Sequence, residues 1–182
     1  MKAVILPGNN NCRITSNWYL SVKDGLEKQG MEVIAEDMPD PKLARKEYWL
    51  PFIKEKLGGD EDAVLIGHSS GAIAIMKFLE ENKCGVAVLV GAYYTDLGDE
   101  LERKSGYFDE PWDWEAIRKN AGRIVIFASQ DDPYIGISEP RFMKDKLDAE
   151  YHEFEDRGHF EDREMPELME VLGRLPEGAK NT

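Results

Sequence analysis

Short runs rich in Val and Ile recur along this chain with an amphipathic stretch between successive runs, and few folds accept that rhythm. KAVIL (2–6), MEVIAE (31–36), DAVLIG (62–67), GVAVLVG (85–91) and RIVIFAS (123–129) are near-continuous apolar segments. That is how a strand reads when a parallel sheet buries both its faces. AEYHEFE (149–155) alternates instead, and is read as a final, more exposed strand. Helical patterns fill the gaps at 17–29, 41–57, 71–82, 112–120, 139–147 and 164–174. Pro41 and Pro51 raise the expectation that the second is split in two. Strand and helix in alternation predict an α/β fold, a three-layer α/β/α sandwich around a mostly parallel sheet. The 182 residues suit one domain over 1–182, with 176–182 expected to fray.

Composition narrows the function classes. A formal net charge of −13 repels phosphate backbones and anionic lipid, so neither nucleic acid nor a membrane surface is an expected partner. No apolar run approaches the roughly 18 residues a membrane helix requires. The opening MKAVILPGNN breaks at Pro7 and Gly8, too early for a secretory signal, and a cytoplasmic protein is expected. Cys12 and Cys84 are far apart, and with His68, His152 and His159 they form no zinc-binding spacing. PGNNN is not a dinucleotide-binding glycine pattern. No metal and no cofactor is expected.

Ligands of such sheets sit beyond the carboxyl ends of the strands. The loops to inspect are therefore PGNNN, HSSG, AYYTDLGDE, QDDPY and DRGHF, which should share one rim. The second holds Gly67-His68-Ser69-Ser70-Gly71, a G-x-S-x-G sequence between a strand and a helix. A nucleophile elbow needs this spacing: the serine occupies a sharp, strained turn, and small neighbours let strand and helix backbones come close. An N-capping serine with packing glycines would give the same letters. A serine hydroxyl needs a base. His68 adjoins the serine and should point away from it, under the turn. His152 lies inside the alternating strand. His159 follows Gly158 in a rim loop. A carboxylate to orient that imidazole is available at Asp131 or Asp132. The order Ser69, Asp132, His159 is the one α/β hydrolases use. Backbone N–H groups of Ser70 and Asn9 are the candidate oxyanion donors. Tyr93, Tyr107 and Phe108, in the loop after the fourth strand, are candidate pocket residues.

LPGNN, MPDP (38–41), WLPF (49–52), GHSSGAIA (67–74), the long segment AYYTDLGDELERKSGYFDEPWDWEAI (92–117), DDPY and GHF occur together. As a set they resemble the compact serine hydrolases of the retinoblastoma-binding protein 9 type, within the α/β-hydrolase superfamily. The resemblance implies a compact fold with no large cap domain. It also implies Ser69 as nucleophile, His159 as base and Asp132, directly before Pro133, as acid, with Asp131 as the alternative. The expected activity is hydrolysis of small carboxylic esters or amides, with a small-molecule acyl substrate as the partner. Retinoblastoma-protein binding in such proteins is ascribed to a Leu-x-Cys-x-Glu motif. LGGDE (57–61) has Gly59 in place of that Cys, so this partner is not carried over. A protein-interaction module on a hydrolase scaffold is the alternative to an enzyme.

Overall fold

The computed structural model describes residues 1–174. The predicted frayed segment 176–182 lies outside them. Six strands form one sheet: β1 (Lys2–Leu6), β2 (Glu32–Ala35), β3 (Val64–His68), β4 (Cys84–Val90), β5 (Ala121–Ser129) and β6 (Glu150–Phe154). Their spatial order is β2-β1-β3-β4-β5-β6, and all five pairings are parallel. The central strands carry the apolar runs because both faces are covered. Every residue of β3 is buried, whereas the edge strands β2 and β6 are only half-covered.

Seven helices complete the described chain: α1 (Tyr19–Lys28), α2 (Lys46–Leu57), α3 (Ser70–Leu79), α4 (Glu100–Ser105), α5 (Trp114–Asn120), α6 (Ser138–Leu147) and α7 (Pro166–Leu172). Two apolar cores lie on opposite faces of the sheet. One joins Val4, Leu65 and Leu89 to Trp49, Ile53, Ile73 and Met143. The other joins Ile5, Ile66 and Val88 to Trp18, Val22, Leu168 and Val171. Alternate residues along each strand feed the two faces, which is the period-two geometry of a strand. The result is the expected three-layer sandwich.

Two local differences from the sequence reading have physical causes. The 41–57 pattern is one helix that starts only at Lys46. Before it, Asp40 and Ala44 take positive φ, and the Asp40 carboxylate accepts from both the backbone N–H and the Nε of Arg45. Pro51 is tolerated inside α2, on an exposed position. The short helix α4 was not visible as a pattern. Its six residues are too few to show a period, and local capping fixes it. The Asp99 side chain accepts from Leu101 N (2.7 Å) and Glu102 N (3.2 Å), and Gly106 closes the far end in the left-handed region at φ 82°.

Strand order reverses between β1 and β3: from β1 the chain moves out to β2, then crosses back to β3. The loops leaving these two strands diverge and open a crevice at their carboxyl ends, the place where open α/β sheets bind ligands. Trp49 closes the core beneath that edge, fully buried, with Nε1 donating to Pro39 O at 2.6 Å. Trp49→Ala is expected to lower unfolding free energy by about 3–5 kcal/mol, read from urea titration.

Candidate active site

β3 ends at His68, α3 begins at Ser70, and Ser69 joins them with φ 54° and ψ −123°. Such a conformation is strained for a residue with a Cβ. It is held from both sides: Ser69 N donates to Val90 O at 2.8 Å, and Ser69 O accepts from Ala72 N at 2.9 Å. A Cβ on Gly67 would lie 2.5 Å from Gly71 C, and one on Gly71 only 2.3 Å from Leu6 O. Neither glycine has a positive φ. They are needed for space, so that α3 can descend onto β3 and β1, and the awkward dihedral falls on Ser69. The capping alternative is not used: the Ser69 side chain makes no cap hydrogen bond, and Ser70 Oγ pairs with Tyr93 OH at 3.2 Å.

On the far side of the crevice, Asp132 and His159 meet. His159 Nδ1 is 2.8 Å from Asp132 Oδ2, and both side chains are more than nine-tenths buried. The other carboxylate oxygen accepts from Tyr134 N and Ile135 N, at 2.9 and 3.0 Å. With the carboxylate as acceptor, Nδ1 carries the proton and Nε2 is the basic nitrogen. Asp131 faces elsewhere. Its Oδ1 accepts from Ser129 Oγ (2.6 Å) and from Gly158 N (2.7 Å), so it anchors the loop that carries His159. Those bonds hold the Asp131 carboxyl below its ordinary range, the Ser129 hydroxyl contributing most.

The remaining histidines stand outside this carboxylate–imidazole pair, His152 at a distance and His68 directly beside His159. His152 stacks on Phe127 along β6 and bonds Glu150. His68 points into the core, fully desolvated, and burial with the neighbouring His159 pushes its pKa down to about 3. Among the described residues, no group of three or more His, Cys, Asp or Glu is arranged to hold a metal ion.

Ser69, His159, Asn9 and Tyr93 line one cavity of 560 Å³, to which all five rim loops contribute. Asn10 and Asn11 send their N–H groups to Lys42 O and Pro41 O. Among the described residues no backbone carbonyl takes the N–H of Asn9. The N–H of Ser70, in the first turn of α3, has no intrahelical acceptor either. Two expected pocket residues are corrected. Tyr107 is fully buried in the core and Phe108 stacks on Tyr93 with centroids 6.0 Å apart; neither lines the cavity. Gly106 is the cause: its left-handed turn sends the chain inward after α4. Sequence reasoning missed Glu102, which α4 delivers to the cavity wall. Its oxygens accept from Asn9 Nδ2 and Tyr93 OH, both at 2.7 Å, and burial raises its pKa against those bonds. Asp99 and Glu161 join it in the lining, where no Lys or Arg appears among the described residues.

The family described as Serine hydrolase matches residues 3–178. Serine hydrolase RBBP9 of Rattus norvegicus is 47% identical over 173 residues, covering 94% of this chain and 93% of that one. The crystal structure of the ydeN gene product of Bacillus subtilis superposes with a TM-score of 0.86 at 25% identity, covering 94% and 96% of the two chains. Est1E of Butyrivibrio proteoclasticus, solved with ferulic acid bound, has the same fold: TM-score 0.74 at 13% identity, over 94% and 86%. Gly71→Ala is expected to cost about 1–3 kcal/mol in urea denaturation because its Cβ would overlap backbone, whereas Gly136→Ala, whose Cβ would make only an ordinary 3.8 Å contact with Ser138 Oγ, should change little.

Proposed function

The chain belongs to the serine hydrolase family, and from that premise we propose that it cleaves small carboxylic esters or amides with Ser69, His159 and Asp132 as its working residues. The observation that carries the reading is the 2.8 Å bond from His159 Nδ1 to Asp132, in a loop that opens on the cavity of the strained Ser69. Ser69 Oγ attacks the carbonyl carbon while Nε2 of His159 takes its proton. Asp132 fixes the imidazole tautomer and stabilises the imidazolium. The developing oxyanion is received by the N–H groups of Ser70 and Asn9, each worth about 3 kcal/mol in comparable sites. Ser70 adds the positive end of α3. The leaving alcohol or amine takes the proton from His159. Water, activated by the same nitrogen, then releases the acyl group from Ser69.

Substrate class follows from the walls. The cavity is modest in size, and among the described residues it carries three carboxylates but neither Lys nor Arg and is not roofed by an inserted domain. Short neutral acyl groups suit it, and anionic ones are disfavoured by the local field.

Kinetics on a short-chain nitrophenyl ester test the residues. Ser69→Ala should abolish turnover with its urea midpoint essentially unchanged; wild-type turnover in that variant would refute the nucleophile. Asp132→Asn should lower kcat by about 10⁴-fold, the loss expected when the histidine takes the wrong tautomer. Asp131→Asn should act mainly on stability. The reverse ranking would move the acid to Asp131. A neutral acetyl ester should exceed a succinyl half-ester in kcat/KM by about tenfold at low salt, the ratio shrinking as salt screens the field.

A further inference from the structure

We propose that His68 is a positioning residue for His159, a neutral imidazole that ties the strand carrying Ser69 to the main chain of the loop carrying the base. The inference rests on the roles given above to Ser69 and His159, and it assigns work to the one buried histidine those roles leave out.

Both ring nitrogens of His68 are engaged. Nε2 lies 2.7 Å from His159 O and Nδ1 2.6 Å from Tyr19 OH. A carbonyl only accepts, so Nε2 carries the proton and Nδ1 is the acceptor. The Tyr19 hydroxyl must then donate to it. Asn17 Nδ2 approaches the same hydroxyl at 3.2 Å as a donor, leaving that proton for His68. Burial keeps the Tyr19 phenol protonated. Every group in the chain Asn17–Tyr19–His68–His159 thus has one consistent donor direction.

The loop needs such support. Gly158 and Phe160, on either side of His159, both have positive φ, 51° and 55°. The Phe160 carbonyl is held as well, by Trp18 Nε1 at 3.0 Å, and Trp18 is fully buried. So two consecutive carbonyls are gripped from below, one by β3 and one by the residue before α1. Asp132 sets the ring of His159, and His68 sets its backbone.

The link between nucleophile and base is also short. His68 is bonded covalently to Ser69 and through one hydrogen bond to His159. Its ring lies 4.8 Å from that of His159, inclined at 42°. At that separation a charged His68 would oppose the imidazolium that forms on His159, so the neutral form is the useful one. Gly91 makes room for the pair: a Cβ there would sit 3.2 Å from His159 Cε1 and 3.7 Å from His68 Cδ2.

The test uses His68→Phe, His68→Gln and Tyr19→Phe in the full chain. They are compared for kcat and KM on a nitrophenyl ester, for fluorophosphonate labelling rate and for urea midpoint. Alongside, the wild-type imidazole tautomers are read from long-range ¹⁵N–¹H spectra. A base displaced by about an ångström loses on the order of 100-fold, so His68→Phe should lower kcat by that order. KM should stay within about twofold, since ground-state binding is untouched. His68→Gln, which keeps an N–H at the Nε2 position, should recover most of the loss. Tyr19→Phe should lose less than His68→Phe, because Nε2–H remains. Wild-type His68 should be in the neutral Nε2–H form through the neutral pH range. An Nδ1–H tautomer, or a folded His68→Phe with wild-type kcat, overturns the proposal. So does a Gln variant no better than Phe at equal stability, the mark of a merely structural role. Should His68→Phe not fold, the tautomer spectrum and the Gln variant decide. A folded wild type that takes no fluorophosphonate refutes the hydrolase reading itself. That outcome is separable, because the His68 spectrum would still report the bond to His159.

Discussion

The close crossing of α3 over β3 and β1 is the constraint on which the rest of the structure depends. Interior packing is dense, and backbone against backbone leaves no room for a methyl group. Gly67 meets Gly71, and Gly71 meets the carbonyls of Leu6 and Pro7. Because those two positions are bare, the helix can start immediately after the strand, with only Ser69 between them. The turn must then be made in one residue, and Ser69 takes a positive φ that its neighbours enforce. Strain of about 1–3 kcal/mol at such a residue persists only where the surroundings over-determine it, as the bonds to Val90 and Ala72 do here.

Around this point the sheet gathers the other parts without any of them being near in sequence. The switch of strand order puts the loop after β1 beside the turn, and with it Asn9. β5 delivers Asp131 and Asp132 together, and the chain uses the two carboxylates for different ends. One accepts from Gly158 N and secures a loop, the other accepts from His159 Nδ1. Beneath, Trp18 and His68 hold the carbonyls of Phe160 and His159. A loop with two positive-φ residues is thereby fixed by side chains from three separate elements.

Much of this was legible in the residues themselves. Val- and Ile-rich runs locate the central strands because burial on both faces leaves no other composition, and the strand ends locate the rim. What the sequence could not convey is direction. Asp131 and Asp132 are adjacent, identical in chemistry, and told apart only by where each side chain points. Tyr107 and Phe108 read as pocket aromatics, but the left-handed Gly106 turns one into the core and lays the other on Tyr93. Glu102 was invisible as a wall residue because the helix that presents it is six residues long and set by its caps. His68 was expected under the turn and is there; its bond to His159, 91 residues away, has no local signature.

The proposed chemistry depends on a single oxygen, that of Ser69 and not of its neighbour Ser70. The direct measurement is the site of a fluorophosphonate adduct on the native protein, found by intact mass and then by fragmentation of the peptide spanning both serines. One adduct, on Ser69, absent after unfolding in urea, is the predicted result. An adduct on Ser70, or a folded protein that takes none, would contradict it.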